Sequence, residues 1–196
     1  MHEARRFCGD PRAAQDLGRV LRRILLETAP GLSFPPVVAC IGTDRAMGDC
    51  LGPLVGTFLK KKHPEWPIFG TLAEPLHALN LPETLEIIRT RHAGKPVIAV
   101  DSAFGETFTS VGDICIRKGS CQPGSGLNKN LPPVGDAYLT GVINVGTGTA
   151  LDLLTLQNTR LYLVWRMAEV IVEAIEIGIG DQQQAGMEAA VLTTAN

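Results

Sequence analysis

The chain has 196 residues, of which 45% are hydrophobic and 19% charged, and its formal net charge is −2. This length is typical of one domain with a sizeable core, and the composition argues against a wholly disordered chain. The lack of excess positive charge argues against a nucleic-acid partner, and charged residues interrupt the most apolar C-terminal stretch too often for a membrane span.

Apolar residues recur with helical or strand periods along most of the chain, in an order that predicts an α/β fold. Strands are predicted at 37–41, 68–73, 97–100, 112–117 and 139–145. Helices are predicted over about 12–28, from near Pro53, from near Asn80 and over about 160–177. The strand at 112–117 alternates like a half-exposed or edge strand. We therefore expect an α/β/α sandwich in which helices cover both faces of the sheet.

The domain organisation is simple. A single domain with an N-terminal helix is predicted over 1–179, and 180–196 is predicted to be a flexible tail because it is rich in glutamine and small residues. Residues 119–135 contain much Gly, Pro, Asn and Ser, so they are predicted to form a long loop, which is often functional.

Acidic residues follow two of the predicted strands. The segment after the first strand, residues 42–53, reads GTDRAMGDCLGP and places Asp49 just before a helix. Another strand runs directly into Asp101 and Ser102. Ligands of open α/β sheets bind beyond such carboxyl ends of strands. The two acids therefore indicate a site at one edge of the sheet.

Each acid also has a structural explanation. Asp49 could cap the helix that follows it, and Asp101 could bind turn amides. Together they indicate chemistry, because neighbouring carboxylates raise each other's proton affinity, so that one acts as a base toward water while the other donates a proton. Such a pair can hydrolyse an amide. Ser102, with Asp44, Glu74 and His77, is a further candidate for binding substrate, although a single histidine more often has a structural role.

Other site types are weaker alternatives. Cys50 lies near a helix N-terminus, where a thiol can become a nucleophile, but no base is identifiable and an inert buried thiol is the preferred interpretation. The loop around Gly42 and Gly48 lacks the Lys-Ser/Thr of a phosphate loop, and residues 146–151, GTGTAL, lack the third glycine of a dinucleotide fingerprint. We interpret 146–151 as a turn before a helix.

The five cysteines form no CxxC pair and have no zinc-finger spacing. Free cysteines are typical of a reducing compartment, and the N-terminus carries charges where a signal peptide has an apolar run. We therefore expect a cytoplasmic protein.

The acid-rich loop also resembles a known group of peptidases. Residues 42–53 resemble the loop of hydrogenase maturation endopeptidases and of the germination protease, which degrades small acid-soluble spore proteins, and Asp49 and Asp101 match the two carboxylates of that group. Residues 128–136, NKNLPPVGD, and 156–161, LQNTRL, look like the YyaC family of sporulation proteins, which are relatives of the germination protease. The resemblance covers about residues 35–178.

The resemblance implies a phosphorylase/hydrolase-like fold with a mixed sheet, in which Asp49 and Asp101 flank a peptide-binding cleft. The maturation endopeptidases also use a histidine from a later loop to recognise nickel, whereas this chain has no histidine after His92. We therefore expect neither a metal nor a cofactor, and the germination protease is the closer functional model.

The leading hypothesis is an endopeptidase of the sporulating cell or spore, in which Asp49 and Asp101 activate water to cleave a peptide or protein such as a small acid-soluble spore protein. Two alternatives stay open at this point. One is an inactive protein with a peptidase fold that binds a partner during sporulation, and the other is a small-molecule amidohydrolase. A homodimer is compatible with either, and neither nucleic acid nor membrane is expected as a partner.

Overall fold

A six-stranded mixed sheet organises the protein. The computed structural model describes residues 4–30, 35–124 and 131–194, and only the backbone of 181–194. The strands are β1 (Ala4–Phe7), β2 (Val37–Cys40), β3 (Ile68–Phe69), β4 (Val97–Gly105), β5 (Asp113–Lys118) and β6 (Ala137–Val145). The helices are α1 (Ala13–Thr28), α2 (Leu51–Lys62), α3 (Leu81–Arg91), α4 (Leu151–Gln157) and α5 (Leu161–Thr194).

The strand order is β1-β5-β6-β4-β2-β3. The pairs β2–β3, β2–β4 and β4–β6 are parallel, whereas β5 is antiparallel to both β1 and β6. The sequence predicts 112–117 as a half-exposed or edge strand, but β5 lies inside the sheet because β1 covers its outer side. Four residues, two of them arginines, are too few to give β1 a readable apolar period.

Helices cover both faces of the sheet, as expected for a three-layer α/β/α sandwich. The larger core joins α1, α2 and α5 to one face of the sheet, and its buried residues include Leu21, Leu51 and Ile171 of the helices and Ile98 of β4. The smaller core joins α3 to the other face and includes residues of the 119–135 loop. The α/β class is confirmed, and the phosphorylase/hydrolase-like subtype stays a prediction.

Several predicted boundaries differ from the observed ones. β3 ends at Phe69, because Gly70 has a φ of +87°, which is outside the extended region that a strand requires. β4 continues past residue 100 to Gly105, so Asp101 lies inside the strand rather than after it. α5 continues past Ile177 to Thr194. The predicted domain limit at residue 179 stays a prediction, because the side chains beyond residue 180 lie outside the described part of the structure.

The two ends of the 119–135 segment are joined to each other. An isolated bridge pairs Cys121 with Val134, and each of their amides donates a hydrogen bond to the other residue's carbonyl, at 2.8 and 3.0 Å. Residues 125–130 of the predicted loop lie outside the described residues. Among the described residues, no helix has both the length and the apolar character needed to cross a membrane.

Candidate functional site

Asp49 lies in a short 3₁₀ helix, Met47–Cys50, that joins the loop after β2 to α2. Gly42 has a φ of +144°, and a Cβ on it would lie 2.0 Å from the carbonyl oxygen of Asp49. That carbonyl accepts a hydrogen bond from the Thr43 amide at 3.0 Å. The N-cap residue of α2 is Cys50, which makes no side-chain cap bond. The glycine therefore lets the loop fold tightly enough to fix the backbone that carries Asp49.

Asp101 is a buried acid inside β4, where its residue is 7% exposed. Its Oδ1 accepts a hydrogen bond from the Ser102 amide at 2.8 Å, and its Oδ2 lies 3.9 Å from the Cys121 thiol sulfur, a weak donor. Across the β4–β6 ladder it lies directly opposite Thr140. A bulge follows at Ala103/Phe104, and such irregularities are common beside functional sites.

The two acids are electrostatically coupled. Burial, and secondly the negative charge of Asp49, raise the pKa of Asp101 to about 8, while the Ser102 amide and the Cys121 thiol act in the opposite direction. Desolvation and a nearby like charge both disfavour the ionised form of a carboxyl group. Asp101 therefore carries a proton at neutral pH, beside a second carboxyl group.

Ser102 links the two acids. Its amide binds Asp101, and its hydroxyl donates a hydrogen bond to Asp49 Oδ1 at 3.4 Å. The structure thus brings Asp49, Asp101 and Ser102 together at the sheet edge that the sequence indicates.

A cleft of about 620 Å³ opens beside the acids, and Asp49 and Asp101 line one end of it. Its floor follows a row of directly paired residues across four strands, in the order Asp101, Thr140, Cys115 and Arg5. Arg5 forms an ion pair with Asp113 on β5. The cleft therefore has a polar floor that leads from the acid pair to a guanidinium group.

A second, smaller cavity of about 220 Å³ also contacts both Asp49 and Asp101. His77 lines this cavity, as does Leu79. Asp44 and Glu74, the other two candidates for binding substrate, are exposed and line neither cavity. Their proposed role stays a prediction.

Cys50 is an inert thiol in this structure. It is buried, its Sγ donates a hydrogen bond to the Met47 carbonyl at 2.9 Å, and burial raises its pKa to about 11. Because the thiolate is the nucleophilic form, these contacts disfavour the alternative in which Cys50 attacks a substrate. All five cysteines are buried and free of disulfides.

Apart from Asp101, the residues of the cleft floor were not predicted from the sequence, and neither was the Cys121 contact with Asp101. Arg5 belongs to the short strand β1, and Cys121 lies in a segment without a periodic pattern. One signal was available, since Asp113, Cys115 and Arg117 alternate with buried isoleucines in β5 and so define a second face. Within the described residues, no group of three or more His, Cys, Asp or Glu side chains is arranged to hold a metal ion.

Comparisons with known proteins place the chain in a family. The family model described as "Protein of unknown function (DUF1256)" matches residues 7–174. The chain belongs to the DUF1256 family. The chain is also 41% identical over 169 residues to the uncharacterized protein YyaC of Bacillus subtilis, and the match covers 86% of this chain and 80% of that protein. The resemblance to the YyaC family is thereby confirmed.

DUF1256 membership brings no assigned activity to the site, because the Bacillus relative is itself described as uncharacterized. An uncharacterized protein from Wolinella succinogenes has a solved structure that matches 79% of this chain and 99% of its own length, at 14% identity and a TM-score of 0.43.

Proposed function

We propose that this DUF1256 protein is an endopeptidase in which Asp49 and Asp101 activate a water molecule to hydrolyse a peptide bond. The observation that carries the proposal is the acid pair itself. Asp101 is buried and its pKa is raised to about 8, in part by the charge of Asp49, where two cavities meet. General acid–base hydrolysis requires a protonated group that donates a proton and an ionised group that accepts one, in the same cleft.

In the proposed reaction, Asp49 accepts a proton from water as the water oxygen bonds to the peptide carbonyl carbon. Asp101 donates its proton to the amide nitrogen as the C–N bond breaks, so the products are a carboxyl group and a free amine. Proton exchange with solvent then restores both acids. Ser102 holds the pair in position, because its amide and its hydroxyl contact one acid each.

The cleft supports a peptide as the substrate. Its volume of about 620 Å³ is within the range of about 300–1,000 Å³ typical of ligand sites, and its polar floor offers hydrogen-bonding groups along its length. Two carboxyl groups at the reacting end disfavour a phosphate there. We propose small acid-soluble spore proteins of the sporulating cell as the first substrates to test.

The test uses the purified full chain with small acid-soluble spore proteins and with a peptide library, and follows cleavage by mass spectrometry. Asp49→Asn and Asp101→Asn are each expected to slow cleavage by about 10²–10⁴-fold. The matched control is Asp10→Asn, which changes an exposed aspartate in the turn after β1 and is expected to retain the native rate.

The other outcomes identify the alternatives. Lasting binding of intact peptides without fragments, unchanged in Asp101→Asn, would identify a partner-binding protein instead of a peptidase. Hydrolysis of small amides but not of peptides would identify an amidohydrolase. Cleavage at the native rate in either acid variant would disprove the two-acid mechanism.

A further inference from the structure

The smaller cavity has the size and character of a pocket for one apolar side chain. Its volume is about 220 Å³, below the range of about 300–1,000 Å³ of sites for whole small molecules. An apolar cavity of about 150 Å³ can hold a benzene ring. Besides the two acids, its walls include the apolar side chains of Ile41, Leu79 and Leu131 and the polar side chains of Thr43 and Arg45.

Leu79 is an exposed apolar side chain at this cavity, with 91% of its surface accessible. Its turn is held firmly before α3, because the His77 amide donates to Asn80 Oδ1 at 2.8 Å and Asn80 Nδ2 donates to the Pro75 carbonyl at 2.9 Å. The Leu81 amide also donates to the His77 carbonyl, at 2.9 Å. A firmly held turn thus presents a leucine to solvent beside the acid pair, where a bound apolar group would cover it.

His77 also lines the smaller cavity. Its Nδ1 is buried and has no hydrogen-bond partner among the described residues. Imidazoles that act as bases or bind metals are normally oriented by a hydrogen bond from their second nitrogen. Among the described residues, the Nδ1 of His77 has no such orienting bond.

We propose that this pocket, formed by Ile41, His77, Leu79 and Leu131, binds an aliphatic side chain of the substrate beside the bond presented to Asp49 and Asp101. The inference rests on the proposed function, because it names the substrate class of the same site. Because Asp49 and Asp101 also line the pocket, a side chain bound there belongs to a residue near the bond presented to the acids. The enzyme then selects peptides by a leucine, isoleucine or valine at that position.

The test measures binding separately from cleavage. A positional-scanning library of fluorescein-labelled hexapeptides is bound to the full-length Asp101→Asn protein, which is expected not to cleave them, and binding is followed by fluorescence anisotropy. At one position, leucine or isoleucine is expected to bind about 10- to 100-fold more tightly than alanine. Cleavage of the same library by the native protein gives the corresponding preference in rate.

Leu79→Asp, made in both the Asp101→Asn and the native protein, is expected to abolish the preference. The variant is expected to fold, because the leucine is exposed, and thermal unfolding verifies this. The matched control is Leu153→Asp, which changes a leucine of α4 that is 52% exposed and lines neither cavity, and it is expected to keep the preference.

The outcomes separate the pocket from the peptidase. An aliphatic preference that depends on Leu79, without any cleavage, would support the pocket and refute the peptidase. Cleavage without an aliphatic preference, or with a preference that survives Leu79→Asp, would support the peptidase and overturn the pocket. Binding of no peptide at all would overturn the pocket.

Discussion

The charge of Asp49 acts on the buried carboxyl group of Asp101 and helps to raise its pKa to about 8. Asp49→Asn removes the like charge, so it is expected to lower the pKa of Asp101. Carbon-13 NMR of aspartate-labelled protein measures this pKa directly, without any need for activity. Asp10→Asn is the control that leaves the site intact, and an unchanged Asp101 pKa in Asp49→Asn would show that the two acids are not coupled.

The raised pKa of Asp101 also makes stability depend on pH. The folded state keeps the proton up to about pH 8, whereas the unfolded chain loses it near the ordinary aspartate pKa of 3.8. The folded state therefore binds more protons in this window, and the free energy of unfolding falls as pH rises, by up to ~1.4 kcal/mol per pH unit from this group. Asp101→Asn removes the effect.

Chemical denaturation of the native protein and of Asp101→Asn at pH 5 and pH 9 measures this difference. The variant is expected to gain stability relative to the native protein on going from pH 5 to pH 9. The remaining titrating groups are common to both proteins and cancel in the comparison, and Asp10→Asn is the control for the loss of an exposed aspartate. A difference between native and Asp101→Asn that is the same at both pH values would show that Asp101 ionises normally in the folded state.

Gly42 is expected to be required for the geometry of the acid loop. Gly42→Ala forces an L-residue to a φ of +144° and places its Cβ 2.0 Å from the Asp49 carbonyl, so we expect a loss of about 3 kcal/mol in the free energy of unfolding. Gly94→Ala is the matched control, because Gly94 has a φ of +78° but a Cβ on it would meet no atom within 4 Å. Equal losses of unfolding free energy in the two variants would show that the close approach of residue 42 to the Asp49 carbonyl is not responsible.

Cys50 is expected to be dispensable for the reaction. Its pKa is raised to about 11, so almost no thiolate exists at pH 8. The native protein is therefore expected to react slowly with iodoacetamide at pH 8, and Cys50→Ala is expected to cleave peptides at close to the native rate. Rapid alkylation of Cys50, detected by mass spectrometry, together with loss of activity would restore the nucleophile alternative.

The sequence predicts the acid pair because the carboxyl ends of parallel strands lie at the same edge of a sheet. β2 and β4 are neighbours, and both lead toward the same edge, so residues at or near their carboxyl ends must meet there. The apolar periods of α1 and α2 likewise fix which sides of these helices enter the core. These are local patterns with a direct structural consequence.

The rest of the site depends on pairings between residues far apart in the chain. Arg5 reaches the cleft because β1 pairs with β5, and Cys121, which also bridges to Val134, lies beside Asp101 of the distant strand β4. The four residues of β1 and the single bridge at Cys121 are both too short to show a period in the sequence. The burial that raises the pKa of Asp101 is similarly a property of the assembled cores rather than of residues near it in the sequence.

The row of paired residues on the cleft floor also fixes the distance between Asp101 and Arg5. From Asp101 to Arg5 it crosses three strand-to-strand steps, each of ~4.8 Å, which is a span of ~14 Å between the outer Cα atoms. An extended peptide advances ~3.4 Å per residue, so a chain laid along the row needs about four residues to reach from Asp101 to the backbone of Arg5. A peptide that contacts both the acids and Arg5 would therefore have to be longer than a dipeptide, because a dipeptide held at the acids ends before it reaches β1.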